Sequence, residues 1–160
     1  MKSVLINNLE FAKKQENTSG EIDVYKHERL ADILINDAQY PTKINYTLTG
    51  SATKLHFPSL HLTIEAVLPV LCQRCLEGME LNLSLAFDYV ISETEPEAFD
   101  GDEEIDWLET SREMNLNELI VDELLIAMPL APSHTQDCKP LTQAHVEKQN
   151  PFAVLKDLIK

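Results

Sequence analysis

The chain has 160 residues, of which 44% are hydrophobic and 25% charged, and its formal net charge is −14. This size and apolar content allow one ordinary domain whose core needs no disulfide bonds, and an odd number of cysteines, three, is unlike an oxidised secreted framework. The apolar start ends at Asn7, too soon for a signal peptide, and no apolar run reaches membrane-spanning length, so we expect a soluble cytoplasmic protein without membrane contact.

The first third of the chain carries mixed patterns. Residues 1–20 combine a short apolar start with a polar stretch, which predicts a docked extension and a loop. Apolar spacing favours a short amphipathic helix over Glu28–Asn36, with Pro41 beyond it as a stop signal. Residues 44–49 then alternate apolar and polar side chains into Gly50, which indicates a strand and a turn.

Two alternating runs follow, over residues 60–66 and residues 79–91. Apolar side chains occupy every second position in each run, a pattern typical of β-strands with one buried face. The segment from Cys72 to Gly78 is then a short connection between strands, at the tip of a hairpin.

Cys72 and Cys75 form a Cys-x-x-Cys pair in this connection, which allows a redox couple, half of a zinc site or two spare thiols. A dithiol enzyme places such a pair at the start of a helix, and no helix fits before Gly78. His134 and Cys138 would complete four zinc ligands if the chain folded back onto the pair. The spacing alone favours reduced, partly buried thiols and a surface histidine over zinc.

Most of the negative charge lies between Glu93 and Glu123. Because such a negative field repels phosphates, it disfavours broad capture of nucleic acid, whereas it attracts a basic protein. The alternative is that the acidic loop only makes the fold soluble. Over 93–112 the charge density predicts a long loop with a short pinned piece at Ile105–Leu108. The segment net charge is −12, from Arg112 and thirteen carboxylates: Glu93, Glu95, Glu97, Asp100, Asp102, Glu103, Glu104, Asp106, Glu109, Glu113, Glu118, Asp122 and Glu123.

The last part of the chain predicts two helices separated by a linker. Asn115 is a suitable N-cap for an amphipathic helix that Pro129 ends. Residues 139–149 are polar and lack a period, as a linker does, and residues 150–160 fit a short amphipathic helix that packs on its own domain or serves a partner's groove. Together the patterns predict one α+β domain over residues 1–138, with a mostly antiparallel sheet, open or barrel-like, of about four to six strands.

No motif for an enzyme is present in the sequence. A Gly-rich phosphate loop, Gly-x-Ser-x-Gly and His-Glu-x-x-His are all absent, and the acidic residues lie in too exposed a context for general acid catalysis. We therefore expect a protein without catalytic residues.

Several ordered blocks together resemble the YceD family, the large ribosomal RNA subunit accumulation proteins. The blocks match over residues 60–160 and are Leu71–Leu76, the long alternating strand, the acidic loop, Val121–His134, Cys138 and Asn150–Leu155. The resemblance implies a non-enzymatic factor in assembly of the large ribosomal subunit. Some family members carry a second close cysteine pair, which gives four zinc thiolates, whereas this chain has Cys138 alone with His134 nearby.

Two functional hypotheses follow from the residues and the resemblance. In the first, a basic large-subunit ribosomal protein or the immature particle binds the acidic region, and ribosomal RNA is affected indirectly. In the second, a small basic surface at the hairpin tip contacts ribosomal RNA directly, through Lys54 and Arg74. The candidate partner-binding carboxylates of the first hypothesis are Asp102, Glu103, Glu104, Asp122 and Glu123.

Overall fold

The computed structural model describes residues 4–37, 39–54, 57–94, 105–136 and 138–139, without the side chains of residues 52–54 and 105. The chain forms an α+β fold, as the sequence predicts. Its elements in chain order are β1 (Leu5–Ile6), α1 (Asn8–Lys13), β2 (Asn17–Glu21), a 3-10 turn (Val24–Lys26), α2 (Glu28–Ala31), β3 (Lys43–Lys54), β4 (Phe57–Leu71), β5 (Gly78–Ser92), β6 (Ile105–Glu109), β7 (Met114–Asn115) and α3 (Leu116–Ala127).

The main sheet has the strand order β2-β3-β4-β5-β6 and is antiparallel except at its last pair. β4 and β5 form the long hairpin that the two alternating runs predict, paired from Ser59 opposite Val90 to Leu71 opposite Gly78. Alternation along β4 buries one face completely, as Leu62 shows with no exposed surface. Within the described residues the sheet is open rather than closed into a barrel.

The acidic segment over residues 93–112 is predicted as a long loop with a pinned piece at Ile105–Leu108, and in the structure that piece is a regular strand, β6. It runs parallel to β5, with Trp107 opposite Val90, and includes the short pinned piece that the sequence indicates. A parallel pair requires a crossover of about a dozen residues, and the connection over residues 93–104 supplies that length. Residues 95–104 of this connection lie outside the described part of the chain.

The first twenty residues are more ordered than their polar composition suggests. The apolar start is docked as predicted, through β1 and α1, whereas the loop predicted for the polar stretch is wrong from Asn17 onward, where β2 begins. Asn7 caps α1 by accepting a hydrogen bond from the backbone N–H of Glu10 at 3.0 Å. Phe11 and Ala12 point into the core, so burial of one helix face holds this short element in place.

Gly50 marks a close approach of backbones and not the predicted turn. β3 continues through Gly50 to Lys54, and α1 lies directly over it. A Cβ on Gly50 would lie 2.5 Å from the carbonyl oxygen of Phe11, closer than any real side chain allows. The glycine therefore lets α1 pack against the sheet.

The helix predicted over Glu28–Asn36 is shorter in the structure and ends at Ala31. The backbone N–H of Ile35 donates to the carbonyl of Pro69 on β4 at 3.0 Å, so it cannot continue the helical ladder. Leu34 is still buried, which explains why the apolar spacing extends beyond the helix.

α3 confirms the second predicted helix. It begins after Asn115 and ends at Ala127, just before Pro129. Its core stripe includes Leu116, Ile120 and Leu124, each with no exposed surface. Asn115 occupies the N-cap position, although its side chain makes no capping hydrogen bond.

The predicted C-terminal parts lie largely outside the described residues. Of the linker over residues 139–149 only Lys139 is described, and the helix predicted over residues 150–160 falls entirely outside. None of the helices in the described part of the chain is both long and apolar enough to span a bilayer.

Candidate metal centre

The Cys-x-x-Cys pair lies in the tight connection between β4 and β5, as predicted. The backbone N–H of Cys72 donates to the carbonyl of Glu77 at 2.9 Å, and the N–H of Leu76 donates to the carbonyl of Cys72 at 2.8 Å. Leu76 adopts a left-handed backbone conformation with φ of 60°, which turns the chain back into β5. Both cysteines are buried at the tip of the hairpin.

The segment after α3 returns to this tip and brings two further candidate ligands. The backbone N–H of Gln73 donates to the carbonyl of Pro132 at 2.8 Å, which fixes the segment beside the hairpin. One donor atom from each of Cys72, Cys75, His134 and Cys138 then lies within 4.8 Å of all the others. The four residues that the sequence could only nominate are thus neighbours in space.

The donor set fits zinc in its chemistry, and two of its donor–donor distances match a tetrahedral site. Three sulfurs and one imidazole are ligands that structural zinc sites use. Around a tetrahedral zinc ion two thiolates lie about 3.8 Å apart, and a thiolate and an imidazole nitrogen about 3.5 Å. The Sγ atoms of Cys72 and Cys138 lie 3.6 Å apart, and Cys75 Sγ lies 3.5 Å from His134 Nδ1. All three cysteines are free thiols, so no disulfide competes for these sulfurs.

The two thiols of the Cys-x-x-Cys pair differ in pKa: that of Cys72 is lowered and that of Cys75 is raised. Burial by itself raises the pKa of the Cys72 thiol. Backbone N–H groups of Cys75, His134 and Arg74 outweigh that effect by hydrogen bonding to the sulfur, and the resulting pKa is about 5. The backbone N–H of Glu77 favours the Cys75 thiolate, but burial and the neighbouring sulfurs raise the pKa of Cys75.

The pKa of His134 and that of Cys138 shift in opposite directions, and both shifts favour the charged forms of these side chains. Hydrogen bonds to Cys138 and Cys72 raise the pKa of His134. Burial disfavours the Cys138 thiolate, but the hydrogen bonds from Arg74 and His134 lower the pKa of Cys138 below its ordinary value. The site therefore favours thiolates on two of its sulfurs, and the thiolate is the form that ligates a metal.

Arg74 lies inside the turn and holds the returning segment in place. Its Nε donates to Cys138 Sγ at 2.9 Å, and its terminal nitrogen donates to the carbonyls of Gln136 at 2.8 Å and His134 at 3.4 Å. The sequence marks Arg74 only as a candidate RNA contact and misses this role. The signal that was available is its place between the two cysteines, but its partners lie some sixty positions downstream.

The other candidate residues do not join this centre. The side chain of Lys54, the second candidate RNA contact, is outside the described part of the structure, as are Asp102, Glu103 and Glu104. Asp122 pairs with Arg29, and Glu123 accepts a 2.7 Å hydrogen bond from the buried Tyr89 hydroxyl. Both of these carboxylates thus have partners within the chain.

Comparisons with known proteins agree on one family. Residues 60–159 match the family model described as large ribosomal RNA subunit accumulation protein YceD. A Haemophilus influenzae protein, named large ribosomal RNA subunit accumulation protein YceD, is 31% identical over 146 residues, which cover 82% of this chain and 80% of that protein. No solved structure shows a significant match to the chain.

Proposed function

The chain belongs to the YceD family of large ribosomal RNA subunit accumulation proteins, and from this premise we propose that it is a non-enzymatic assembly factor for the large ribosomal subunit. It acts mainly by contact with a basic ribosomal protein or with a basic face of the immature particle. The accumulation of ribosomal RNA then depends on protein contacts, and the chain makes or breaks no covalent bond.

The observation that carries the proposal is the concentration of negative charge around β6. Four carboxylates with exposed side chains lie on or beside this strand: Glu93, Asp106, Glu109 and Glu113. They belong to a segment whose net charge of −12 accounts for most of the charge of the chain. Such a surface attracts a cationic protein over a distance of about 10 Å at 0.1 M salt and speeds its association.

Direct RNA binding ranks second because of the position of Arg74. Its guanidinium is half-buried and donates to the segment that carries His134 and Cys138. An arginine engaged in this way is a poor contact for phosphate or a base, since binding RNA would release the segment that it holds.

A pull-down with matched charge variants tests the proposal. The variant Asp102→Lys, Glu103→Lys, Glu104→Lys reverses three charges in the acidic segment, and a control variant reverses three exposed carboxylates elsewhere. Both variants change the net charge equally, so local charge is separated from total charge. The control substitutions are Glu16→Lys just before β2, Glu21→Lys at the end of β2 and Glu80→Lys in β5.

We expect the wild type to capture a basic ribosomal protein or the immature subunit at low salt, and to capture less of it at moderate salt. At low salt the acidic-segment variant should capture less than the wild type, whereas the control variant should capture as much. Equal capture by the wild type and both variants would show that the acidic segment does not bind the partner and only makes the protein soluble. Tight binding of naked ribosomal RNA by the purified chain, with no ribosomal protein captured, would reverse the ranking of the two hypotheses.

We also infer that the metal centre holds one zinc ion, ligated by Cys72, Cys75, His134 and Cys138. Four protein ligands leave no open coordination position, which is characteristic of structural rather than catalytic zinc. The ion would tie the segment after α3 to the hairpin tip, in addition to the hydrogen bonds of Arg74.

Native mass spectrometry of freshly purified protein measures the bound metal directly. One zinc per chain is expected in the wild type and in the control variant His61→Ala, whose imidazole contacts Asp88 instead of the centre. The variant His134→Ala is expected to retain less zinc under the same conditions. Zinc-free wild type, purified without chelator, would remove this part of the proposal.

A further inference from the structure

An apolar stripe runs along β5 on the face of the sheet that carries the core. Its neighbours across the hairpin on β4 are almost fully buried, with Ala66 the most exposed of them at 3%. The stripe itself packs against the core but is only partly buried, so burial falls off from β4 to this part of β5. The stripe consists of Met79, Leu81, Leu83, Leu85 and Phe87.

The stripe lies at a margin of the sheet. β6 pairs with β5 only from Asp88 to Ser92, and among the described residues no strand pairs with the outer side of β5 between Gly78 and Phe87. A contiguous row of large apolar side chains that stays partly exposed often marks the contact site of a ligand, a partner or another segment. A covering element is therefore expected here.

The described chain ends next to one end of the stripe. Cys138 lies beside Cys72 at the hairpin tip, and Met79 follows the first residue of β5. Residues 140–160 continue from that point. The last eleven of them carry four apolar side chains at helical spacing, namely Phe152, Leu155, Leu158 and Ile159.

The distances suit a segment of the same chain. From Met79 to Phe87 the stripe extends for about 27 Å along the strand. A helix over residues 150–160 would be about 16 Å long, and residues 139–149 can span as much as about 36 Å when extended. Lys156 and Lys160 would also meet a protein with a net charge of −14, which favours attachment to this chain.

We propose that residues 150–160 form a short amphipathic helix that docks its apolar face on the β5 stripe of the same molecule. The short tether gives the helix a high effective concentration at the stripe, and docking supplies the stability that so short a helix lacks alone. This inference goes beyond the assembly role and does not depend on zinc or on the acidic segment.

Methionine methyl NMR provides a probe at the stripe itself. Met79 lies in the stripe, whereas Met114 lies in β7 and serves as an internal control. The added substitution Leu85→Met nearly conserves volume and places a second probe in the middle of the stripe. With methyl-labelled full-length protein, a soluble paramagnetic agent measures how far each methyl is exposed to water.

The test variant is Phe152→Asp, Leu155→Asp, and the control variant is Lys156→Ala, Asp157→Ala, which alters only the polar side of the predicted helix. We expect a severalfold rise in paramagnetic relaxation at the stripe methyls in the test variant and no change in the control. A chain that stops at residue 149 is expected to behave as the test variant does. Unchanged Met114 signals show that the domain remains folded.

Equal relaxation of the stripe methyls in the wild type and the test variant would overturn the proposal and leave the stripe for a partner protein. Protection that disappears on dilution, together with a dimer in sedimentation, would also overturn it, because the helix would then come from a second copy. Protection that is independent of concentration and lost in the test variant supports docking within one molecule.

Discussion

Replacement of Arg74 gives the sharpest test of how the metal centre is built. Its guanidinium spans the gap between the hairpin tip and the returning segment with hydrogen bonds to Cys138 Sγ and to two backbone carbonyls, those of His134 and Gln136. Arg74→Gln removes both the charge and the fork of donors, whereas Arg74→Lys keeps the charge and loses the fork. The two variants separate charge from geometry.

The size of the effect follows from the charge and the contacts. Three thiolates, a neutral imidazole and a divalent zinc ion carry one net negative charge, which the Arg74 guanidinium balances at 2.9 Å from Cys138 Sγ. Outer partners of metal ligands typically change metal affinity by about 10- to 100-fold. We expect Arg74→Lys near the lower limit and Arg74→Gln near the upper limit, because only the latter also loses the charge.

Competition for zinc with a chelator of known affinity, at fixed pH and salt, measures the effect. Arg29→Gln is the control, since it removes an arginine paired with Asp122 on α3 and leaves the centre intact. The reasoning is refuted if Arg74→Gln and Arg29→Gln bind zinc equally well. Melting temperatures without metal are recorded for both, so that a general loss of stability is not mistaken for a loss of affinity.

Three further outcomes test the fold and the centre. Tyr89→Phe is expected to lower the free energy of unfolding in urea by about 1–2 kcal/mol, because the buried hydroxyl donates to the Glu123 carboxylate. Tyr25→Phe, at an exposed hydroxyl, should change it by no more than about 0.5 kcal/mol, and equal effects of the two variants would contradict this. Gly50→Ala is expected to lower the free energy of unfolding by about 1–3 kcal/mol in the same assay, because the added methyl group would clash with α1. The control Ser51→Ala should lower it by about 0.5 kcal/mol or less, and a Gly50→Ala variant as stable as the wild type would disprove the close approach. Zinc added to metal-free protein at about 100 times its dissociation constant should stabilise the fold by about 2.7 kcal/mol in thermal unfolding, and an unchanged melting temperature would speak against a structural zinc.

The hairpin could be predicted from the sequence because its signal is local. Every second residue of β4 and β5 is apolar, and one-sided burial requires that period. The connection between Cys72 and Gly78 is too short for anything except a turn. The same applies to α3, where the apolar stripe and the cap position lie within a few turns of one another.

The N-terminal elements were missed because contacts with distant residues hold them. Asn8 has no exposed surface, donates to the carbonyl of Glu109 at 2.9 Å and accepts from the N–H of Ser111 at 2.9 Å, one hundred positions away. Nothing in the local pattern around Asn8 distinguishes it from a loop asparagine. Likewise, only the passage of α1 overhead explains a glycine at position 50 in the middle of a strand.

The sequence by itself determined the residue types, the periodicity and the family: two alternating strands joined at a cysteine pair, a helix that begins after Asn115, an acidic segment and four candidate ligands. Only the tertiary structure decided that these ligands meet, because His134 reaches Cys75 across 59 positions through the packing of α3 and the bond from Gln73 to Pro132. Periodicity depends on neighbours a few residues apart, whereas a centre of this kind depends on where a packed core directs the chain.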